Sequence, residues 1–132
     1  MTYAKNTKVP VSQSKSDIEK LVMRYGATSF VAGSSLKDGA MICFEASKRR
    51  VLFRASMPES EQECRARWRA LLLCIKAKLE SVEAGIETFE DAFMAHVVMP
   101  DGDTVGTHIR PRIAIAYSGN SMVPLLPPPS KG

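Results

Sequence analysis

With 132 residues, 45% of them apolar and 24% charged, the chain has the composition of one ordinary globular domain, which excludes wholesale disorder. Its net charge of +4 is too small to demand a polyanion, but it is unevenly spread. Residues 1–57 hold ten Lys or Arg against four acids, and residues 58–99 hold five against eight. Such asymmetry points to an anionic partner, with a merely solvated basic surface as the equal alternative.

Residues 1 to about 13 are polar, contain Pro10, and read as a loose arm. The opening MTYAKNTKVPVSQSK lacks the apolar core of a signal peptide, and no apolar run approaches the ~20 residues that span a bilayer. The cytoplasm, with no membrane contact, is the expected location. Ser16 and Glu19 have capping-box spacing, Ile18, Leu21, Val22 and Tyr25 recur at helical intervals, and Gly26 supplies a stop. Three β segments follow, Ser29 to Ala32, Ala40 to Ala46 and Val51 to Met57, joined by Lys37-Asp38-Gly39 and by the basic turn Ser47 to Arg50. They predict an antiparallel meander in which Met41, Cys43 and Glu45 oppose Ile42, Phe44 and Ala46.

Pro58 ends the sheet, and Ser60 with Glu63 opens a long helix to about Ala84. At 100° per residue, Cys64, Trp68, Leu71, Leu72, Ile75, Leu79 and Val82 form one broad apolar stripe. Ala66, Ala70, Leu73, Ala77, Ser81 and Ala84 form a second stripe of small residues opposite. A helix buried on one side needs only one stripe. The alanine-rich back is therefore expected to meet the C-terminal helices or a second copy of the chain. Gly85 closes this helix, with Ile86 as the expected hydrophobic partner of the cap. Thr88 and Asp91 open a shorter helix with Phe89, Phe93 and Val97. A last helix is expected over Thr104 to Tyr117, with Val105, Ile109, Ile113 and Ala116 inward; Pro111 lies inside that span, which predicts a kink or a start near His108.

The predicted fold is α+β: a short helix, a three-stranded antiparallel meander, a long central helix packed on the sheet, and two further C-terminal helices. One domain is expected over residues 1–126. Val123, Leu125 and Leu126 are expected to pack back on it, and the proline-rich 127–132 reads as a flexible tail. Cys43, Cys64 and Cys74 are odd in number and form no CxxC pair, so they read as reduced and mostly buried.

Chemistry is sparse. Lys48, Arg49 and Arg50 fall at a predicted hairpin tip, where guanidinium groups suit phosphate oxygens. Arg54 lies nearby. The long helix carries one basic seam of Arg65, Arg69 and Lys76 and another of Arg67 and Lys78, which could track a sugar-phosphate backbone. The plainer alternative is pairing with Glu61, Glu80 and Glu83 at i, i+4 spacing. Of the aromatics Tyr3, Tyr25, Phe30, Phe44, Phe53 and Trp68, Phe53 between Arg50 and Arg54 has the setting of a base-stacking residue. Phe44 and Trp68 fit the core. His96, Asp101, Asp103 and His108 match no metal pattern; Asp101-Gly102-Asp103 reads as a tight turn and His108 as a helix-start residue. No catalytic residue, metal or cofactor is assigned.

The run RARWRALLLCIKAKLESVEAGIETFEDAFMAHVVMPDGDTVGTHIRPRIAIAYSGNSMVPLLP resembles a family of small uncharacterised proteins of tailed phages and prophages. That family shows an RWRAL…IKAKLE helix, G-I-x-T-F-E-x-x-F, an LPDG-x-TV turn and a closing AY…G…M-x-x-LLP. Its N-terminal V-x-x-S-x-x-x-I-E-x-L-x-x-RYGA is matched here by VSQSKSDIEKLVMRYGA. The chain departs from the pattern by being short between the third strand and the long helix. The resemblance implies a phage origin and expression alongside early DNA-metabolism genes. It implies no activity and carries over no functional residue.

Two functions are expected from this reading. One is a non-enzymatic accessory protein of recombination or replication that contacts DNA through Lys48, Arg49, Arg50, Arg54, Arg65, Arg69 and Lys76. The other is an inhibitor or modulator that binds a host nucleic-acid enzyme or defence complex. Convergence of those cations on one groove favours the first; their dispersal favours the second.

Overall fold

The computed structural model describes residues 7–35 and 37–119. In chain order its elements are α1 (Val11–Arg24), β1 (Ser29–Ser35), β2 (Gly39–Ala46), β3 (Arg49–Ala55), α2 (Glu61–Glu83), α3 (Phe89–Phe93), a 3-10 turn (Met94–His96) and α4 (Val105–Gly119). This is the expected α+β order. The expectations for Tyr3, for Val123, Leu125 and Leu126, and for the tail from Pro127 lie outside the described residues.

α1 begins earlier than its capping-box spacing suggested. Pro10 occupies the cap position in extended geometry, and its carbonyl accepts the Gln13 and Ser14 N–H groups at 3.1 and 3.2 Å. Proline loses nothing there, because the first-turn N–H groups have no intrahelical partner. Ser16 is therefore inside the helix, and Val11 to Gln13 belong to it rather than to a loose arm. Ile18, Leu21 and Val22 face the core, as does Ser14, whose buried hydroxyl has no hydrogen-bond partner among the described residues.

The sheet has the order β1-β2-β3, all antiparallel, with Phe30 opposite Phe44 and Phe44 opposite Val51. Strand alternation sorts its residues cleanly. Ala40, Ile42, Phe44 and Ala46 of β2 and Val51 and Phe53 of β3 are buried on one face. α2 supplies Trp68, Leu72, Ile75 and Leu79 to the same core, and α3 supplies Ala92 and Phe93. Phe93 meets Phe44 and Phe53 edge-on at 5.8 and 6.2 Å. α1 runs parallel to α2, as three links in rising order along both helices show: Thr7 O to Gln62 Nε2 (2.8 Å), Asp17 to Arg69 (2.8 Å) and Tyr25 OH to Glu83 (2.7 Å).

The β2–β3 link is tighter than the four-residue basic turn expected. Only Ser47 and Lys48 turn the chain, both with positive φ (51° and 62°), and Arg49 and Arg50 already belong to β3. Two left-handed residues match the twist of a two-residue hairpin, but neither is Gly, Asn or Asp, so both bear a steric cost.

α2 is capped at both ends as its sequence indicates. Ser60 Oγ accepts the Glu63 N–H at 3.3 Å. At the other end Gly85 turns left-handed (φ 76°), so that Gly85 N–H reaches Val82 O at 3.1 Å and Ile86 N–H reaches Ser81 O at 3.0 Å. The hydrophobic half of that cap does not form, for Ile86 is 78% exposed. α3 opens on Thr88, whose hydroxyl accepts the Asp91 N–H.

Val97 and Val98 then pair with the outer edge of β3, Val98 N–H donating to Arg50 O at 2.8 Å. α4 departs most from expectation. It starts on Thr104 as the expected span has it, with the Thr104 hydroxyl accepting the Thr107 N–H, and runs through Pro111 rather than starting near His108. Gly106 is its sole buried residue, and the expected inward stripe is open at Ile113. α4 packs on Met94–His96 and does not cover the alanine-rich back of α2.

The hairpin geometry gives a direct test. Replacing Ser47-Lys48 by Asn-Gly should raise the unfolding free energy by about 1 kcal/mol, seen as a higher urea midpoint at unchanged slope. Ser14→Ala should leave stability unchanged or raise it, because it removes an unpaired buried hydroxyl.

Candidate interaction surface

Among the described residues, the other face of the sheet carries no helix. Register places Val31, Cys43 and Leu52 in one row across the three strands, Gly33, Met41 and Arg54 in the next, and Ser29, Glu45 and Arg50 in the third. None of these residues is buried, and Val31 at the centre of the edge strand is 57% exposed. The result is a short apolar patch with a guanidinium at two of its corners. Burial pushes the Cys43 thiol up, so it stays protonated at neutral pH and is a poor nucleophile. Val31, Met41 and Leu52 were not singled out as functional residues from the sequence, although their positions on the non-core side of the predicted alternation were available.

The seven basic residues singled out from the sequence do not gather in one place. Strand alternation puts Arg50 and Arg54 on the open face and Arg49 on the core side, where its Nε donates to Glu90 of α3 at 2.7 Å. Arg50 reaches Glu45 on the neighbouring strand at 3.0 Å. Arg65, Arg69 and Lys76 lie on α2, in the helical layer behind the sheet. There Arg65 pairs with Glu61 at 3.4 Å and Arg69 with Asp17 of α1 at 2.8 Å. Among the described residues no carboxylate lies within ion-pair distance of Lys48, Arg54 or Lys76. Lys48, Arg49 and Arg50 do line one open groove of about 450 Å³ together with Glu45, Val98, Met99, Pro100 and Gly102. A smaller hollow is lined by Lys37, Asp38, Gly39 and Arg54 at the opposite end of the hairpin.

The second basic seam is also committed locally. Arg67 donates to Ser56 O at 2.9 Å, and Lys78 donates to Ala92 O at 2.9 Å and lies over the Phe93 ring. Of the expected acidic partners only Glu61 takes a basic residue at i+4; Glu83 instead accepts from Tyr25.

The aromatics are equally occupied. Phe53, the aromatic with the setting of a base-stacking residue, is buried and stacks on His96 at 3.9 Å. Burial, with Lys78 nearby, pulls the His96 pKa down and keeps the ring neutral. Phe44 and Trp68 are in the core as expected, and Lys15 sits 4.9 Å above the Trp68 ring. The cysteines depart from expectation: all three are free, but Cys43 and Cys64 are half-buried and Cys74 is exposed.

Asp101, Asp103 and His108 place one ligand atom each within 4.8 Å of one another. Their contacts are those of a turn joined to a helix. Asp101 Oδ1 accepts the Asp103 N–H at 3.0 Å, and the other oxygen takes His108 Nε2 at 2.7 Å. The Asp103 N–H first, and His108 after it, hold the Asp101 carboxyl below the ordinary range. His96 is not part of this group.

Among protein-family models, curated proteins and solved structures, none matches this chain.

The Arg69–Asp17 link ties α1 to α2 and sets a pH dependence. Hydrogen bonds from Arg69, then Gln13, lower the Asp17 pKa in the folded state. A lowered folded value means the link stabilises above the ordinary aspartate pKa of ~3.9 and fades as pH falls through the folded one. Asp17→Asn should therefore lower the urea midpoint at pH 7, and the gap from wild type should narrow as pH is taken below the ordinary aspartate range.

Proposed function

We propose that this chain is a non-catalytic accessory protein, of the phage type its sequence resembles, that docks a protein partner on the open face of its sheet. The partner class is a host nucleic-acid enzyme or defence complex. The observation that carries this reading is the uncovered row Val31, Cys43 and Leu52, bordered by Met41 and by Arg50 and Arg54. An apolar centre inside a charged rim is the anatomy of protein–protein contacts. The occupant it fits presents apolar side chains within acidic ones. Arg54, with no carboxylate of its own, is the cation best placed to meet such a rim and to speed encounter.

A second reading is direct contact with DNA. It is favoured by Lys37, Lys48, Arg54 and Lys76, four cations with no ion-pair partner among the described residues. It ranks behind the first because Arg49, Arg50, Arg65 and Arg69 would each have to leave a carboxylate, and because Phe53 is closed to bases. The alanine-rich back of α2 adds a possible contact with a second copy.

Capture from host lysate on immobilised protein separates these readings. Wild type should retain one stoichiometric complex, and Val31→Asp should retain less than about a tenth of it, as expected for a charge placed at the centre of an apolar contact. Wild type eluting alone, or Val31→Asp retaining the same complex, would reject the docking face. Fluorescent oligonucleotides at ~50 and ~200 mM salt test the alternative: steeply salt-dependent binding that weakens in Arg54→Ala would put DNA first.

A further inference from the structure

α4 is the element least accounted for by one chain. Its packing is concentrated at its first turns, where Gly106 lies so close to Ala95 that an added Cβ would stand 2.8 Å from the Ala95 carbonyl. Beyond Ile109, Ile113, Ile115 and Tyr117 are 43, 52 and 87% exposed. Ile113 and Ile115 are 200° apart around the helix, so two of its sides are apolar at once. A helix apolar on more than one side calls for cover. A 15-residue helix interrupted by Pro111 is also too short to be stable in water on propensity alone.

The back of α2 is the complementary surface. Ala70, Leu73, Ala77 and Ala84 follow one another along it; Ala77 and Ala84 are exposed and Leu73 is 37% exposed. Four small or lone apolar positions make a shallow trough, of the kind that admits a second helix at close range. The charges are matched as well. α4 carries the exposed Arg110 and no carboxylate, while the exposed Glu80 borders the trough toward its C-terminal end.

We propose that two copies of this chain associate through these surfaces, α4 of each lying in the α2 trough of the other. The pairing is reciprocal, so it forms twice about a two-fold axis and covers both unpartnered surfaces at once. A single chain cannot satisfy itself this way, because the start of α4 is held on the Met94–His96 turn. The contact is separate from the sheet face and does not depend on it.

Sedimentation velocity on the full chain from about 5 to about 200 µM tests the pairing, the range in which a modest two-fold contact populates both states. A reversible dimer is expected. Ala77→Arg in the trough and Ile113→Glu on α4 should each raise the dissociation constant at least tenfold with the circular dichroism spectrum unchanged. Ala77 is exposed, so its variant keeps the test valid if Ile113→Glu perturbs folding. Ile115→Cys should form an oxidised dimer through native Cys74, lost again when Cys74→Ser is added. A monomer throughout the range overturns the proposal. So does a dimer that tolerates Ala77→Arg and forms no such cross-link, which would assign the cover of α4 to residues 120–132 or to another protein. Val31→Asp, which probes the sheet face, should leave the dimer intact, so the two proposals fail separately.

Discussion

Burial of Ile42, Phe44, Val51 and Phe53 beneath Trp68, Ile75 and Leu79 is the constraint from which the rest of this structure follows. Three strands give a sheet too small to be stable alone, and a helix packed along one side supplies what it lacks. Trp68 and Phe93, at 1% and 0% exposure, fill the space between layers. Truncating a core aromatic of that size costs about 3–5 kcal/mol, a large part of the 5–15 kcal/mol that holds an ordinary domain together. α1 and α3 then have one place to go, at the flanks of the same helix. Every described helix that contributes to this core therefore lies on a single side of the sheet, and among the described residues no helix covers the opposite side.

The same geometry explains the behaviour of the charges. Strand alternation sends Arg49 and Arg50, neighbours in sequence, to opposite sides of the sheet, and each finds a carboxylate within reach there. Arg69 is turned toward α1 by the periodicity that turns Trp68 toward the core, one residue earlier. Basic density in the sequence is thus converted into separate local links that fasten elements together. Exposed links of this kind are worth little individually. Their effect on function is larger, since a guanidinium already held by a carboxylate must give it up before meeting a phosphate.

Fold and order were legible in the sequence where local chemistry decides. Ser60 with Glu63, Gly85 and Thr88 mark real helix ends, and the alternation of Met41 to Ala46 gives the correct core side of β2. The start of α1 was misread because Ser16 and Glu19 satisfy the capping pattern while sitting inside the helix, and Pro10 makes a quieter start signal. The hairpin was misread because Ser47 and Lys48 are unusual residues for left-handed geometry. Of the cations only the Arg65–Glu61 pair was legible, from its i, i+4 spacing; Arg69 meets Asp17 across 52 positions, and Arg49 meets Glu90 across 41. Such partners are set by packing between elements, which no local spacing encodes. The open sheet face lies between these cases, its residues readable from alternation but its lack of cover visible only in three dimensions.

Proline inside α4 has a dynamic consequence. With no N–H at Pro111, the carbonyl of Thr107 receives no bond from the following turn, and the ladder is cut where the helix leaves its support on Met94–His96. The two halves of α4 are thereby uncoupled. In the unpaired chain, amides before the break should share the protection of the domain, while those of residues 113–119 should open in a separate local event and exchange with solvent deuterium on their own clock. A helix built this way can reorganise its outer half to suit whatever settles on it without loosening the core that carries it.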